Sequence, residues 1–260
     1  MADPVANDTF EASVASPGVV LVRIVSKPLG VFSVEARRRL TAFLETVHQT
    51  HGARCVVLIG SGASFSAGSN IREFEATAAW IEEARRVETK LNETIERGPV
   101  PVVAACNGHT LGGGAVMALA CDFRIAGHSA TFGVPEVRLG AMPTATGTQR
   151  LPMLVGRGQA LRLMLTGQPI DAREAYRIGI FEELVPDDQL EARALELAAR
   201  IAAVSSKAVS ACRRCASAGL RHGYATGLLM EEETTVPLGL SDDAMEGKAA
   251  FVEKRAPRFA

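Results

Sequence analysis

A chain of 260 residues with 47% hydrophobic content is long enough to bury a sizeable core, as one large domain or as a domain with a small extension. Its 28 basic and 29 acidic residues nearly cancel, and no basic tract invites nucleic acid or an anionic membrane surface. Five cysteines, an odd number, fit a reduced cytoplasmic protein better than a disulfide framework.

The first residues carry no signal-peptide or Arg-rich transit pattern: Asp3 and Asp8 precede the first basic residue, Arg23. Residues 10–26 read as a hairpin, two apolar-rich runs around the turn signal Ser16-Pro17-Gly18. Ser33 can cap a helix with Glu35 in its first turn, and Leu40, Phe43, Leu44 and Val47 recur at helical spacing. His48 and His51 fall near its end, on expected solvated surface. Residues 55–59, CVVLI, form a buried-strand candidate that runs into GSGASFSAGSNIREF. The dinucleotide spacing fails there, because Phe65 stands where a third glycine belongs, and no P-loop Lys-Ser pair follows. Ser66 is outside any Gly-x-Ser-x-Gly elbow, which argues against a serine hydrolase. What remains is a strand, a glycine turn and a helix start with N–H groups to spare around Gly68 and Ser69.

Trp80, Ala84, Val87, Leu91 and Ile95 trace one face of a long helix, with Glu82 and Arg86 spaced for an i,i+4 pair. Pro99 and Pro101 close it. Residues 101–123, PVVAACNGHTLGGGAVMALACDF, then repeat the earlier order: apolar strand, turn at Asn107-Gly108, glycines, helix. Glycines at a helix start admit close approach and leave N–H groups at the positive end of the dipole. Two readings follow: an oxyanion site for developing negative charge, or a contact that lets a helix lie close to a sheet. The same run is apolar, but Asn107, His109 and the glycines make it a poor membrane span.

Short strands are expected at residues 123–125 and 130–132. Glu136 follows, between Val134-Pro135 and Val137. A carboxylate in an apolar loop is either ion-paired, here with Arg138 or Arg150, or raised in pKa and useful as an acid/base. Beyond Gly158 the pattern is helical, with Asp171 as one N-cap and helices over 205–220, 221–236 and 241–252. Cys212 and Cys215, the one close cysteine pair, sit in this region without the two further ligands that zinc would need.

Several separate motifs in this order resemble the crotonase, or enoyl-CoA hydratase/isomerase, superfamily: SFSAGSNIREF, NGHTLGGGAVMALACD, PEVRLG followed by GTQRL, LTGQPIDAREAYRIGIFEELVP, and EGKAAFVEKRAPRF. The resemblance spans nearly the whole chain. It implies an α/β fold with a spiral core of ββα turns over residues 1–190, and an α-helical C-terminal trimerisation region over 191–260. It also implies a homotrimer or dimer of trimers, and an acyl-CoA thioester substrate in which coenzyme A is part of the substrate. No metal or redox cofactor, nucleic acid or membrane is implied. Position by position, the thioester oxygen would rest between the N–H groups of Ser69 and Gly113. Ala67 and Ile71 would line the adenine and pantetheine path. Arg72 would stand near the CoA phosphates, and Phe251 and Lys254 would make a C-terminal CoA contact.

The departures bear on the reaction. Family hydratases use two glutamates; here Val116 occupies the first position and Glu136 the second. A carboxylate that some relatives carry eight residues after that glutamate is Thr144. The usual aspartate is Asn70 and the usual Asn-Ala is Gly30-Val31. One glutamate suffices for Δ3-to-Δ2 enoyl-CoA isomerisation, so Glu136 is the expected base. Hydration is the alternative, with His109 as one substitute acid/base. Hydrolysis or C–C cleavage of a CoA ester, and a non-catalytic acyl-CoA-binding subunit, complete the alternatives.

Overall fold

The computed structural model describes residues 4–259. By internal packing the chain divides into two compact units, one ending at Ala198 and one beginning at Ala199.

Among the described residues, the first unit is built on eleven strands. A hairpin, β2 (Phe10–Ser16) and β3 (Val19–Ile24), carries the short β1 (Val5–Ala6) on its outer edge. Helix α1 (Val34–Thr50) is capped by Ser33, whose hydroxyl accepts from the Ala36 N–H. β4 (Cys55–Gly60) and the short β5 (Ser64–Ser66) follow, then a 3-10 turn Ile71–Glu73 and α2 (Ala78–Arg97). β6 (Val102–Cys106), β7 (His109–Leu111) and α3 (Gly113–Ala120) repeat that unit. β8 (Phe123–Gly127) and β9 (Thr131–Gly133) lead through a 3-10 turn Pro135–Leu139 into α4 (Gly147–Thr166). β10 (Ile170–Asp171), α5 (Ala172–Arg177) and β11 (Glu183–Val185) close the series, and the division falls within α6 (Leu190–Ala202).

The spiral is visible in the pairing. The large sheet runs β1-β2-β3-β4-β6-β8-β11 and is parallel from β3 onward. The small sheet runs β10-β9-β7-β5, with β5, β7 and β9 parallel. The successive pairs β4 and β5, β6 and β7, and β8 and β9 therefore each send one strand to each sheet before the next α-helix. β4 and β6 are buried along their whole length, as parallel strands covered on both faces must be, which explains their unbroken apolar sequence. Asn107 stitches two successive turns: its side chain accepts from Gly60 N–H at 2.9 Å and donates to Gly62 O at 2.8 Å.

Helix α3 lies almost on the backbone of β5. A β-carbon on Gly114 would sit 2.6 Å from Ser66 Cβ and 2.7 Å from Ser66 Oγ, and Ser66 is buried. Gly114→Ala should therefore cost about 1–3 kcal/mol of overpacking, read as a lowered denaturation midpoint.

Two expectations for α2 change. Val87, Leu91 and Ile95 are buried, but Trp80 and Ala84 are only half-buried, and Trp80 packs edge-on against Phe74 at 5.2 Å. Arg86 pairs with Glu83 rather than Glu82, because Glu83 is also the carboxylate reached by Arg38 from α1. His48 and His51 are half-buried rather than solvated; the His51 ring meets the edge of Phe43 at 5.3 Å.

In the second unit, α7 (Ser206–His222), α8 (Tyr224–Gly239) and α9 (Asp242–Val252) follow one another. α7 and α8 cross closely at Gly219 and Gly227, where a β-carbon on Gly227 would lie 2.7 Å from Gly219 Cα. Cys212 and Cys215 lie unbridged in α7. No helix among the described residues is long and apolar enough to cross a membrane.

Candidate active site

The two glycine turns meet. Gly68 has φ +101°, and a β-carbon there would lie 3.0 Å from both Gly113 N and Leu111 O. Phe32 forms a parallel bridge with Ser69: its N–H donates to Gly68 O at 2.8 Å, and its carbonyl accepts from Asn70 N–H at 2.8 Å. That pattern uses the groups flanking Ser69 and turns the Ser69 N–H to the opposite edge. Gly113 is the first residue of α3, so its N–H is one of the orphan donors of a helix N-terminus. Neither N–H has an acceptor among the described residues. Two backbone donors on adjacent segments, one at the positive end of a helix, can hold a developing oxyanion.

Glu136 is brought to the same place. Its Oε1 lies 3.5 Å from the β-carbon position of Gly112, the residue before Gly113. Its Oε2 is buried and has no hydrogen-bond partner. The ion-pair alternative fails: Arg150 pairs with Glu96, and Arg138 packs its methylenes over Gly167. Burial pushes the Glu136 carboxyl above the ordinary carboxylate range, opposed by a backbone hydrogen bond and reinforced by the charge of Glu88. Between the unfolded value and this raised one, the folded chain holds a proton that the unfolded chain has released. Stability therefore falls as pH rises through that window. Glu136→Gln should gain more in melting temperature over wild type at about pH 8 than at about pH 4.

The position where family hydratases carry their first glutamate is filled by a buried apolar side chain. Val116 is 1% exposed, and its Cγ2 lies 2.7 Å from where a β-carbon on Gly147 would be. Thr144 is half-buried and serves the loop before α4, accepting from Gly147 N–H at 2.9 Å. That loop holds Ala145 and Thr146 at positive φ and is tied down by Asn92, which donates to Ala145 O at 3.1 Å, and by Arg150.

The sequence reading missed one cluster. Arg37 of α1 and Glu88 of α2 form an ion pair at 3.2 Å, with side chains only 7% and 13% exposed. The same Arg37 Nη2 donates to Ser69 Oγ at 2.9 Å, and Nη1 donates to Phe32 O at 3.0 Å. A β-carbon on Gly113 would collide with Glu88 Oε1 and lie 2.7 Å from Arg37 Nη2. The signal was available: Arg37 falls on the buried face of α1 with Ala36, Leu40, Thr41 and Leu44, and Glu88 adjoins Val87 on the buried side of α2. Opposite charges at core-facing positions of two helices ask for each other.

Other predicted residues sit more openly. Ala67 is half-buried, and Ile71 and Arg72 are exposed. Arg72 lines a surface depression with Arg38, Phe74 and Trp80 and with the carboxylates of Glu73, Glu75 and Glu83. His109 is exposed and its Nδ1 shares a hydrogen bond with Thr131 Oγ1 at 3.0 Å across β7 and β9. Phe251 and Lys254 lie in the second unit; Phe251 is 85% exposed and Lys254 has φ +54°.

Comparison with known proteins agrees with this architecture. A Rhodobacter capsulatus protein named a probable enoyl-CoA hydratase is 38% identical over 89% of this chain and 90% of its own. The crotonyl-CoA hydratase of Syntrophomonas wolfei is 37% identical over 82% of this chain and 83% of its own. The crystal structure of an enoyl-CoA hydratase from Bacillus anthracis superposes with a TM-score of 0.92 at 36% identity, covering 96% of this chain and 98% of that one. Residues 15–260 match the family profile described as enoyl-CoA hydratase/isomerase, and the chain belongs to that family.

Proposed function

We propose that the protein moves the double bond of a 3-enoyl-CoA to the 2-position, with Glu136 as the single proton carrier. The observation that carries this reading is the buried, unpartnered Oε2 of Glu136 beside Gly112, set against an apolar Val116 at the position of the second hydratase carboxylate. Glu136 takes a proton from C2. The electron pair of the C2–H bond forms the enolate, whose charge rests on the thioester oxygen between the Ser69 and Gly113 N–H groups. The same carboxyl returns the proton at C4 as the double bond settles between C2 and C3. No atom is gained or lost.

Ala67, Ile71 and Arg72 are the proposed CoA contacts of the first unit, Phe251 and Lys254 are proposed CoA contacts of the second considered by itself, and a homotrimer or dimer of trimers is the proposed assembly. The exposed Arg72 guanidinium can pair with a phosphate, although Glu73, Glu75 and Glu83 share its depression. Val116 and Thr144 would border the acyl chain.

Hydration is the second reading, favoured by the presence of Glu88 and by the names of the relatives. NMR in heavy water decides between them. Incubation with 3-enoyl-CoA should give 2-enoyl-CoA. Robust conversion of 2-enoyl-CoA to 3-hydroxyacyl-CoA would instead make the protein a hydratase. Thioester binding without migration, hydration or α-deuteration would identify a binding subunit.

A further inference from the structure

We propose that Arg37 and Glu88 are a positioning pair: the guanidinium, clamped between Glu88 and the Phe32 carbonyl, holds the Ser69 hydroxyl and thereby aims the Ser69 N–H. The proposal rests on the oxyanion role of Ser69 given above.

Ser69 is itself exposed, although it follows the buried Gly68. Backbone pairing holds both peptide planes of Ser69, through Gly68 O and the Asn70 N–H on Phe32, and points the Ser69 N–H away from Phe32. The remaining freedom is rocking of the whole 68–70 segment about those two hydrogen bonds. The Arg37–Ser69 hydrogen bond opposes it, at 2.9 Å and charge-assisted. Arg37 can act as a fixed post because every side of it is held. Nη1 is on Phe32 O, Nη2 is on Glu88, and the guanidinium lies 5.8 Å from the centre of the Phe32 ring. One residue, Phe32, thus pairs with the Ser69 backbone and also accepts from the arginine that holds the Ser69 side chain. The pair also borders the second donor, since the open side of Gly113 faces Glu88 Oε1 and Arg37 Nη2. Both donors are therefore backed by the same two charges.

Arg37 and Glu88 are both nearly buried, so removing either alone leaves an uncompensated charge and endangers folding. Ser69→Ala avoids this: it keeps the N–H and the ion pair and deletes only the link between them. Its kcat for double-bond migration should fall by roughly 10-fold, and by no more than about 10²-fold, with KM nearly unchanged. Ser69→Thr should restore most of it. Arg37→Lys, which keeps the charge but cannot fork to three acceptors, should slow wild type yet add nothing in the Ser69→Ala background. Full kcat in Ser69→Ala, or equal Arg37→Lys losses in both backgrounds, would overturn the proposal. So would Glu88→Gln that loses migration but keeps α-proton exchange, because Glu88 would then carry the proton itself. Amide hydrogen exchange in the substrate-free protein supplies a readout that needs no assumption about the reaction. Residues 67–70 should exchange faster in Arg37→Lys and in Ser69→Ala, and unchanged exchange in both would reject the pair's role. Wild type that neither isomerises nor exchanges α-protons would reject the functional reading instead, leaving the hydrogen-exchange result to judge the pair.

Discussion

Glu136→Gln is expected to lower kcat for migration of the 3-enoyl-CoA double bond by roughly 10²–10⁴-fold, the usual worth of one positioned acid/base. Glutamine keeps the size and planarity of the side chain but cannot take up a proton at C2 and give it back at C4. The fold should survive, because Oε2 has no hydrogen bond to lose and the substitution removes a partly buried charge. KM should change little, since the carboxylate contributes to the proton transfer and not to holding CoA. In wild type, kcat/KM should rise with pH as Glu136 deprotonates, with a midpoint above the ordinary carboxylate range. In folded Glu88→Gln protein, verified by its circular dichroism, loss of the charge should shift that midpoint down, because Glu88 disfavours the ionised form of Glu136. Parallel NMR rates and pH profiles for the two variants check both statements. Full activity in Glu136→Gln would remove it as the proton carrier.

Gly113→Pro should be almost as damaging. Gly113 is the first residue of α3, a position where proline suits a helix and where its missing N–H breaks no helical hydrogen bond. The substitution thus deletes the candidate donor with little conflict with the helix. It also brings a β-carbon into Glu88 and Arg37, so Gly113→Ala is the necessary control: it makes the same intrusion and keeps the N–H. The proline variant should be slower than the alanine variant by about 10²–10³-fold in kcat, the cost of one such donor. Equal rates would mean that the Gly113 N–H does not touch the transition state.

Much of the fold was legible because its signals were local. The caps at Ser33 and Asp171, the hairpin around Pro17-Gly18, and the two strand-turn-glycine repeats each need only a few adjacent residues, and each formed. The spiral itself rested on the motif resemblance, since parallel pairing of β4 with β6 is not written in either strand alone. What escaped was long-range and electrostatic. Arg37 and Glu88 are 51 residues apart and meet over a third segment. Similarly, Glu83 drew Arg86 away from Glu82 only because Arg38 arrived from another helix. The state of Glu136 was ambiguous for the same reason: its freedom from an ion pair depended on Arg150 finding Glu96.

The meeting of Gly68 with the start of α3 has an evolutionary consequence. Both candidate donors are main-chain groups, set in place by backbone packed on backbone. Apart from proline, no exchange of the side chain at either position can delete a donor; it can only crowd or tilt one. Ordinary drift therefore leaves the two donors standing while a neighbouring side chain such as Glu136 is exchanged. A descendant that loses one reaction still starts its search for the next with two converging backbone donors already in place.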